Sequence, residues 1–171
     1  MKCVIDTKNG NSIKMETGNL IIGGISAAAI ILPFVFMYRK RKQLERELTK
    51  GLKSYAASKN LKIDQTEVAG NVILGIDHQN TVAFLGKKEK TEEIFRHVNL
   101  ENIKLCKVNR QVREIVTHGK KDKVTHSLSL EFYPQHQQEE ITRFSLYNED
   151  SDEALGGEIQ LANEWVRRFN L

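Results

Sequence analysis

The sequence predicts an α+β protein built in three consecutive parts. They are an apolar N-terminal helix with a basic extension, about seven antiparallel strands, and an amphipathic C-terminal helix. Three observations lead there. A 20-residue run without charge ends at Arg39-Lys40-Arg41-Lys42, a two-residue hydrophobic period occupies the stretch from Leu61 to Tyr147, and helical spacing returns after it.

The uncharged run is Asn19–Tyr38, NLIIGGISAAAIILPFVFMY. Twenty helical residues span about 30 Å, the thickness of a hydrocarbon core. Ten of them are Leu, Ile, Val or Phe. At about −0.3 to −0.6 kcal/mol each these supply roughly −3 to −6 kcal/mol towards insertion, and no charge opposes them. A secretory signal peptide would place its apolar region directly after a short basic start. Here eighteen residues precede it, with Asp6 and Glu16 among them. A core helix would carry a polar face, and this run is apolar all round. The expectation is therefore a single transmembrane helix over 19–38, with Pro33 placed to kink its last turns.

Its orientation follows from the flanks. Lys2, Lys8 and Lys14 precede the run, whereas Arg39, Lys40, Arg41, Lys42, Arg46, Lys50 and Lys53 follow within about twenty residues. The positive-inside bias predicts a short extracytoplasmic tail over 1–18 and a C-terminal domain in the cytoplasm, at the inner (plasma) membrane of the cell. Cys3 and Cys106 then lie on opposite sides of the bilayer, which leaves Cys106 a reduced thiol. Gly23/Ala27 and Gly24/Ala28 have the small-xxx-small spacing that lets two helices approach closely, and so mark a candidate homodimer contact.

Residues 39–59 read as a basic juxtamembrane helix with the apolar stripe Leu44, Leu48, Leu52 and Tyr55. The spacing leaves three roles open: a helix lying on the bilayer, a short coiled coil, or a strut on the globular domain. Charge separates this segment from the rest. It holds eight Lys/Arg against two Glu, a net +6, while 60–171 holds fifteen against eighteen Asp/Glu, a net −3. The overall charge of +4 thus sits where anionic headgroups would be. Nucleic-acid binding by the main domain loses its electrostatic basis. Arg39, Lys40, Arg41 and Lys42 are the expected membrane-surface residues.

The β region, 60–147, alternates in short runs. Val72, Leu74 and Ile76 precede the polar turn Asp77–Asn80, after which Val82 and Phe84 share a face. Leu128, Leu130 and Phe132 alternate with Ser127, Ser129 and Glu131, and Phe144 and Leu146 repeat the pattern. Lys62–Val68, a piece near Val98, and Ile103–Val116 complete the set. Hairpin-length turns at Ala69–Asn71, Gly86–Lys90, Gly119–Lys123 and Pro134–Glu140 make the pairing antiparallel. Two of these turns are basic tips. Lys87 and Lys88 mark one, and Lys120, Lys121 and Lys123 the other. They are candidate contacts to anionic headgroups or an acidic partner, or else plain solvated turns.

Leu155, Ile159, Ala162, Val166 and Phe169 form one helical face near the C-terminus. Asp150 with Glu153 has capping-box spacing. Gly156-Gly157 either sits inside that helix or precedes its start. Trp165 borders the apolar face and reads as a core residue.

About seven short strands closed by one C-terminal helix resemble the pleckstrin-homology-like fold, in element order rather than in diagnostic residues. The stretches VILGIDHQNTVAFL, VNLENIKLCKV and FSLYNEDSDEALGGEIQLANEWV are similar to small bacterial single-pass membrane proteins with a basic juxtamembrane helix and a compact β-rich domain. The resemblance implies that fold over 60–171 and a tethered cytoplasmic domain, but no activity for any residue.

Chemistry-bearing constellations are thin. His78, His97, His118, His126 and His136 are dispersed, with none in metal-ligand spacing. Cys106 reads as a strand-face or core residue, and the acidic clusters at Glu139 and Glu149 lack the calcium-loop pattern. No catalytic residue, metal or cofactor is expected. The reading is a membrane-anchored cytoplasmic binding or adaptor module for an unidentified protein partner. The alternatives are a subunit of a larger membrane assembly, or a tethered enzyme whose mark would be a cleft that brings His97, His118 or His126 to carboxylates.

Overall fold

Among the described residues of the computed structural model ten elements follow one another: α1 (Thr17–Ser58), β1 (Gln65–Ala69), β2 (Val72–Ile76), β3 (Val82–Lys88), β4 (Glu93–Asn99), a 3-10 turn (Leu100–Asn102), β5 (Ile103–Thr117), β6 (Lys120–Pro134), β7 (Thr142–Asn148) and α2 (Glu158–Phe169). The structure describes residues 17–77, 79, 81–90, 92–117, 120–136, 138, 140–152 and 154–170, and for 17–24, 27, 28, 117 and 120 it describes the backbone alone. The chain divides into two compact units, Met1–Arg41 and Lys42–Leu171.

In the first unit the chain is helical from Thr17, and Pro33 lies inside the helix. Its described apolar side chains are unburied on every side. Phe34 and Met37 are each 69% exposed, and even Val35, the most covered of the large ones, is 41% exposed. Among the described residues no helix is long and apolar enough to cross a membrane. The side chains of 19–24, 27 and 28, within the expected span, and the tail 1–16 lie outside them.

The second unit is layered. β1-β2-β3-β4 form one antiparallel sheet and β5-β6-β7 another. Val72, Leu74 and Ile76 of β2 and Ala83 and Leu85 of β3 turn to one side. There they meet Cys106, Leu128, Leu130, Phe132, Phe144 and Leu146 of the second sheet, with Leu161, Ala162, Trp165 and Phe169 of α2. The intervening residues Ile73 and Phe84 turn to the other side, against Leu48, Leu52 and Ala56 of α1. Burial on both faces is why β2 is hidden along its whole length, and β3 nearly so.

Of the three roles the stripe left open, the strut is the one the structure adopts. The compact unit begins at Lys42 rather than at residue 60, because the helix supplies the outer cover of the first sheet. Gly51 makes the approach possible: a Cβ there would lie 2.5 Å from the Phe95 ring.

The seven strands stand close to their expected positions, with two differences in the turns. β3 runs to Lys88, and β6 begins at Lys120. Gly70 turns β1 into β2 with φ +56°, beneath the buried carboxylate of Glu158.

The C-terminal helix differs more. It begins at Glu158, after Gly156-Gly157, with Gly157 as its N-cap. Asp150 lies in a turn well before it, and Glu153 is outside the described residues, so the capping box does not start α2. The neighbouring Asp152 is engaged elsewhere: it accepts from the Asn148 backbone, Asn71 and Lys87. Those bonds hold the segment between β7 and α2 across to β3. Trp165 is fully buried, and its Nε1 donates to Glu67 at 2.9 Å.

Candidate functional site

Residues 42–57 of α1 carry two opposed faces. Leu44, Leu48, Leu52 and Ala56 recur every fourth residue and point to the first sheet. At 100° per residue, Lys42, Arg46, Lys50 and Lys53 fall on the opposite face, and all four are exposed. With Glu45 among its lining residues, that face forms an open trough of about 640 Å³. The +6 segment is thus sorted by burial into a hidden apolar stripe and an outward cationic one. Arg39, Lys40 and Arg41, in the first unit, are also exposed, and the Lys40 ammonium stands 6.0 Å over the Phe36 ring. A face of this kind attracts anionic surfaces.

Glu47 flanks the stripe and bonds Lys88. That bond holds the Glu47 carboxyl below the usual carboxylate range and raises the Lys88 pKa in turn. Both are partly exposed, so water screens the pair and it adds little to stability.

The lysines expected at two hairpin tips meet different fates. Lys87 is 3% exposed and bonds Asp152 at 2.8 Å, so its amine is buried and paired rather than presented at a tip. Its position on β3, inside the strand rather than in the turn, aims the amine at the segment between β7 and α2. Lys88 is committed to Glu47. Lys121 remains exposed, 3.8 Å from Glu114, and Lys123 is exposed beside it in β6. The side chain of Lys120 lies outside the described residues, as do those of Gly23, Gly24, Ala27 and Ala28. Of the five lysines expected at the tips, Lys121 and Lys123 are thus the two described as exposed, both on the β5–β6 ribbon.

The histidines do not converge. His97, on β4, takes a 2.9 Å bond with the Tyr55 hydroxyl. His126, on β6, lies 3.1 Å from Glu149, which Arg113 also bonds. These partners hold the Glu149 carboxyl below its usual range, the His126 bond being the largest cause. His136 is exposed, and His78 and His118 are outside the described residues. No group of three or more His, Cys, Asp or Glu among the described residues is arranged to hold a metal ion. Burial pushes the Cys106 thiol up to about 12, which makes it a poor nucleophile at neutral pH.

Two polar features escaped the sequence reading. On the second sheet, Glu131 accepts from Asn109, Tyr133 and Arg143. The Asn109 bond, foremost among these, lowers its pKa. At the edge of β5, the Asn170 carboxamide bonds both the N–H and the C=O of Cys106. Neither follows from periodicity, since Asn109 and Glu131 are 22 residues apart and Cys106 and Asn170 are 64 apart. No protein-family profile, curated protein or solved structure matches the chain.

Proposed function

We propose that the chain is a membrane-tethered binding module at the inner (plasma) membrane, with its N-terminus outside and its β-rich domain in the cytoplasm. The observation that carries this reading is the surface of α1. Large apolar side chains from Ile25 to Tyr38 are exposed on every side of the helix, and a run of exposed cations begins at the next residue. Water gives such a surface no partner, whereas a bilayer gives one to each half. Anionic headgroups are the ligands of the cationic face, each Lys or Arg contributing about 1 kcal/mol near the surface.

The domain itself is read as pleckstrin-homology-like. A four-stranded sheet, a three-stranded sheet and one C-terminal helix in that order support the assignment. Such a domain serves as a docking scaffold for a protein partner. Here the outer face of its first sheet is occupied by α1, so docking falls to the second sheet and its long ribbon.

The test uses full-length protein in bacterial membranes. It should stay in the membrane through high salt and alkaline washes and leave only with detergent. A reporter active only in the cytoplasm should work when fused after Leu171, and one active only outside should not. Release by salt would overturn the anchor, and the reverse reporter result would overturn the orientation.

A further inference from the structure

β5 has an open edge. Among the described residues it pairs with β6 alone, and edge strands present unpaired backbone N–H and C=O groups that invite another strand. At Cys106 that edge is filled by a side chain acting as a strand would. The Cys106 N–H donates to Asn170 Oδ1 at 2.7 Å, and Asn170 Nδ2 donates to the Cys106 carbonyl at 2.9 Å. This establishes which groups face outward. In an antiparallel sheet residues two apart aim their backbone groups to the same side. Val108, Arg110, Val112, Glu114 and Val116 therefore present theirs to the open edge. The irregularity between Gln111 and Val112 is taken up in β6, which advances from Ser127 to Thr125, so β5 is unbroken across it.

Asn170 closes one end of the free edge and the end of the strand at Thr117 closes the other, so Lys107–Thr117 is open and Val112 is its midpoint. Beyond the sheet's covered part, Val112 is 46% exposed and Val116 68% exposed. A second β5 laid antiparallel by a two-fold axis through Val112 would cover the whole stretch. It would put Val112 opposite Val112, Val116 opposite Val108, and Arg110 opposite Glu114 of the second copy. On the other face Arg113 meets Gln111, Ile115 meets Asn109, and Thr117 meets Lys107. No like charges stand directly opposite one another. Moving the axis two residues either way destroys this, since it sets Arg110 against Arg110 or Glu114 against Glu114.

We infer that the free edge of β5 pairs with the same edge of a second copy of this chain, with the two-fold axis at Val112. The groups involved are available. Arg110 donates from Nε to Thr125, and Glu114 makes a loose 3.8 Å contact with Lys121. Arg113, which the axis would bring near its own copy diagonally, is already neutralised by Glu149. The pairing rests on the strand edge alone and stands whether or not the chain is tethered to a membrane.

Full-length protein carrying Cys3→Ser, with Cys106 buried, is treated with a bis-maleimide short enough to bridge facing side chains. Val112→Cys should yield a covalent dimer, because only the residue on the axis meets its own copy. Val116→Cys alone should not, whereas mixed Val108→Cys and Val116→Cys chains should. Arg110→Glu and Glu114→Arg, each added to Val112→Cys, should lower the dimer yield at least fivefold, and the two together should restore it. Within one chain these side chains stand about 13 Å apart, too far to pair, so restoration requires the second copy. The proposal fails if Val112→Cys gives no dimer in protein with an unchanged circular dichroism spectrum. It also fails if Val116→Cys links as well as Val112→Cys, if the double reversal does not restore the yield, or if Val112→Cys links to a different protein. A dimer captured at Gly24→Cys but not at Val112→Cys would place association in the helix and overturn it too.

Discussion

Lys87 and Lys88 are neighbours in sequence and opposites in environment. Strand alternation turns Lys87 onto Asp152, where both side chains are under 10% exposed, while Lys88 reaches Glu47 at the surface. Removing one partner of a buried pair leaves an uncompensated charge, which costs about 3–5 kcal/mol, whereas water screens an exposed pair. Lys87→Met should therefore lower the unfolding free energy of the 42–171 fragment, measured by urea titration, by about 3 kcal/mol, and Lys88→Met only slightly. Equal effects would contradict the burial assigned to Lys87. Glu131 supplies a pH test. Its folded-state pKa is lowered by Asn109 first and by Tyr133 and Arg143 after it. A depressed carboxyl contributes stability that is fully present above its unfolded value, about 4.3, and lost as pH falls through the folded value. Between pH 5 and pH 3 the Glu131→Gln variant should thus lose less stability than the parent, measured against each protein's own value at pH 7.

At the scale of elements, the second half of α1 belongs to the β domain. Leu48, Leu52 and Ala56 are at most 1% exposed against Ile73 and Phe84. A fragment of residues 42–171 should unfold cooperatively, with the buried Trp165 reporting the transition. Residues 60–171 alone would bare one face of the first sheet, and should aggregate or melt at least 10 °C lower. Leu52→Ala should cost about 2–5 kcal/mol in the longer fragment. If both fragments are equally stable, α1 is no part of the core. The apolar stripe was legible in the sequence, since a four-residue recurrence needs only the chain itself. Its target was not, because the same stripe would suit a bilayer surface or a second helix.

Over the whole molecule, Lys42, Arg46, Lys50 and Lys53 are exposed on the face of α1 turned away from the first sheet. Residues 39–171 should bind vesicles containing anionic lipid weakly and release them as salt rises, because the attraction acts through screened charge. Replacing Lys42, Arg46, Lys50 and Lys53 with Gln should abolish the binding with an unchanged far-UV spectrum. Replacing Lys87 should leave it intact if the domain remains folded. Salt-independent binding would point instead to apolar insertion by the fragment.

The chain's local order was set by its own residues. Alternation with a period of two marks about seven strands, some of them less regular, and the four-residue recurrence marks a helix over 39–59, because these patterns express only which side chains can share a face. The uncharged run and the cations after it likewise follow from composition. What the tertiary structure decided is which charges stay in water. Lys87 and Asp152 are 65 residues apart, and nothing local to either announces the other. The start of α2 was decided in the same way. Asp150 and Glu153 had the spacing of a cap, but Asp152 is bound across to β3 and Gly157 becomes the N-cap instead. The open edge of β5 is a property of the assembled sheet as well. Sequence can mark a strand, but only the packed fold shows on which side it has no neighbour.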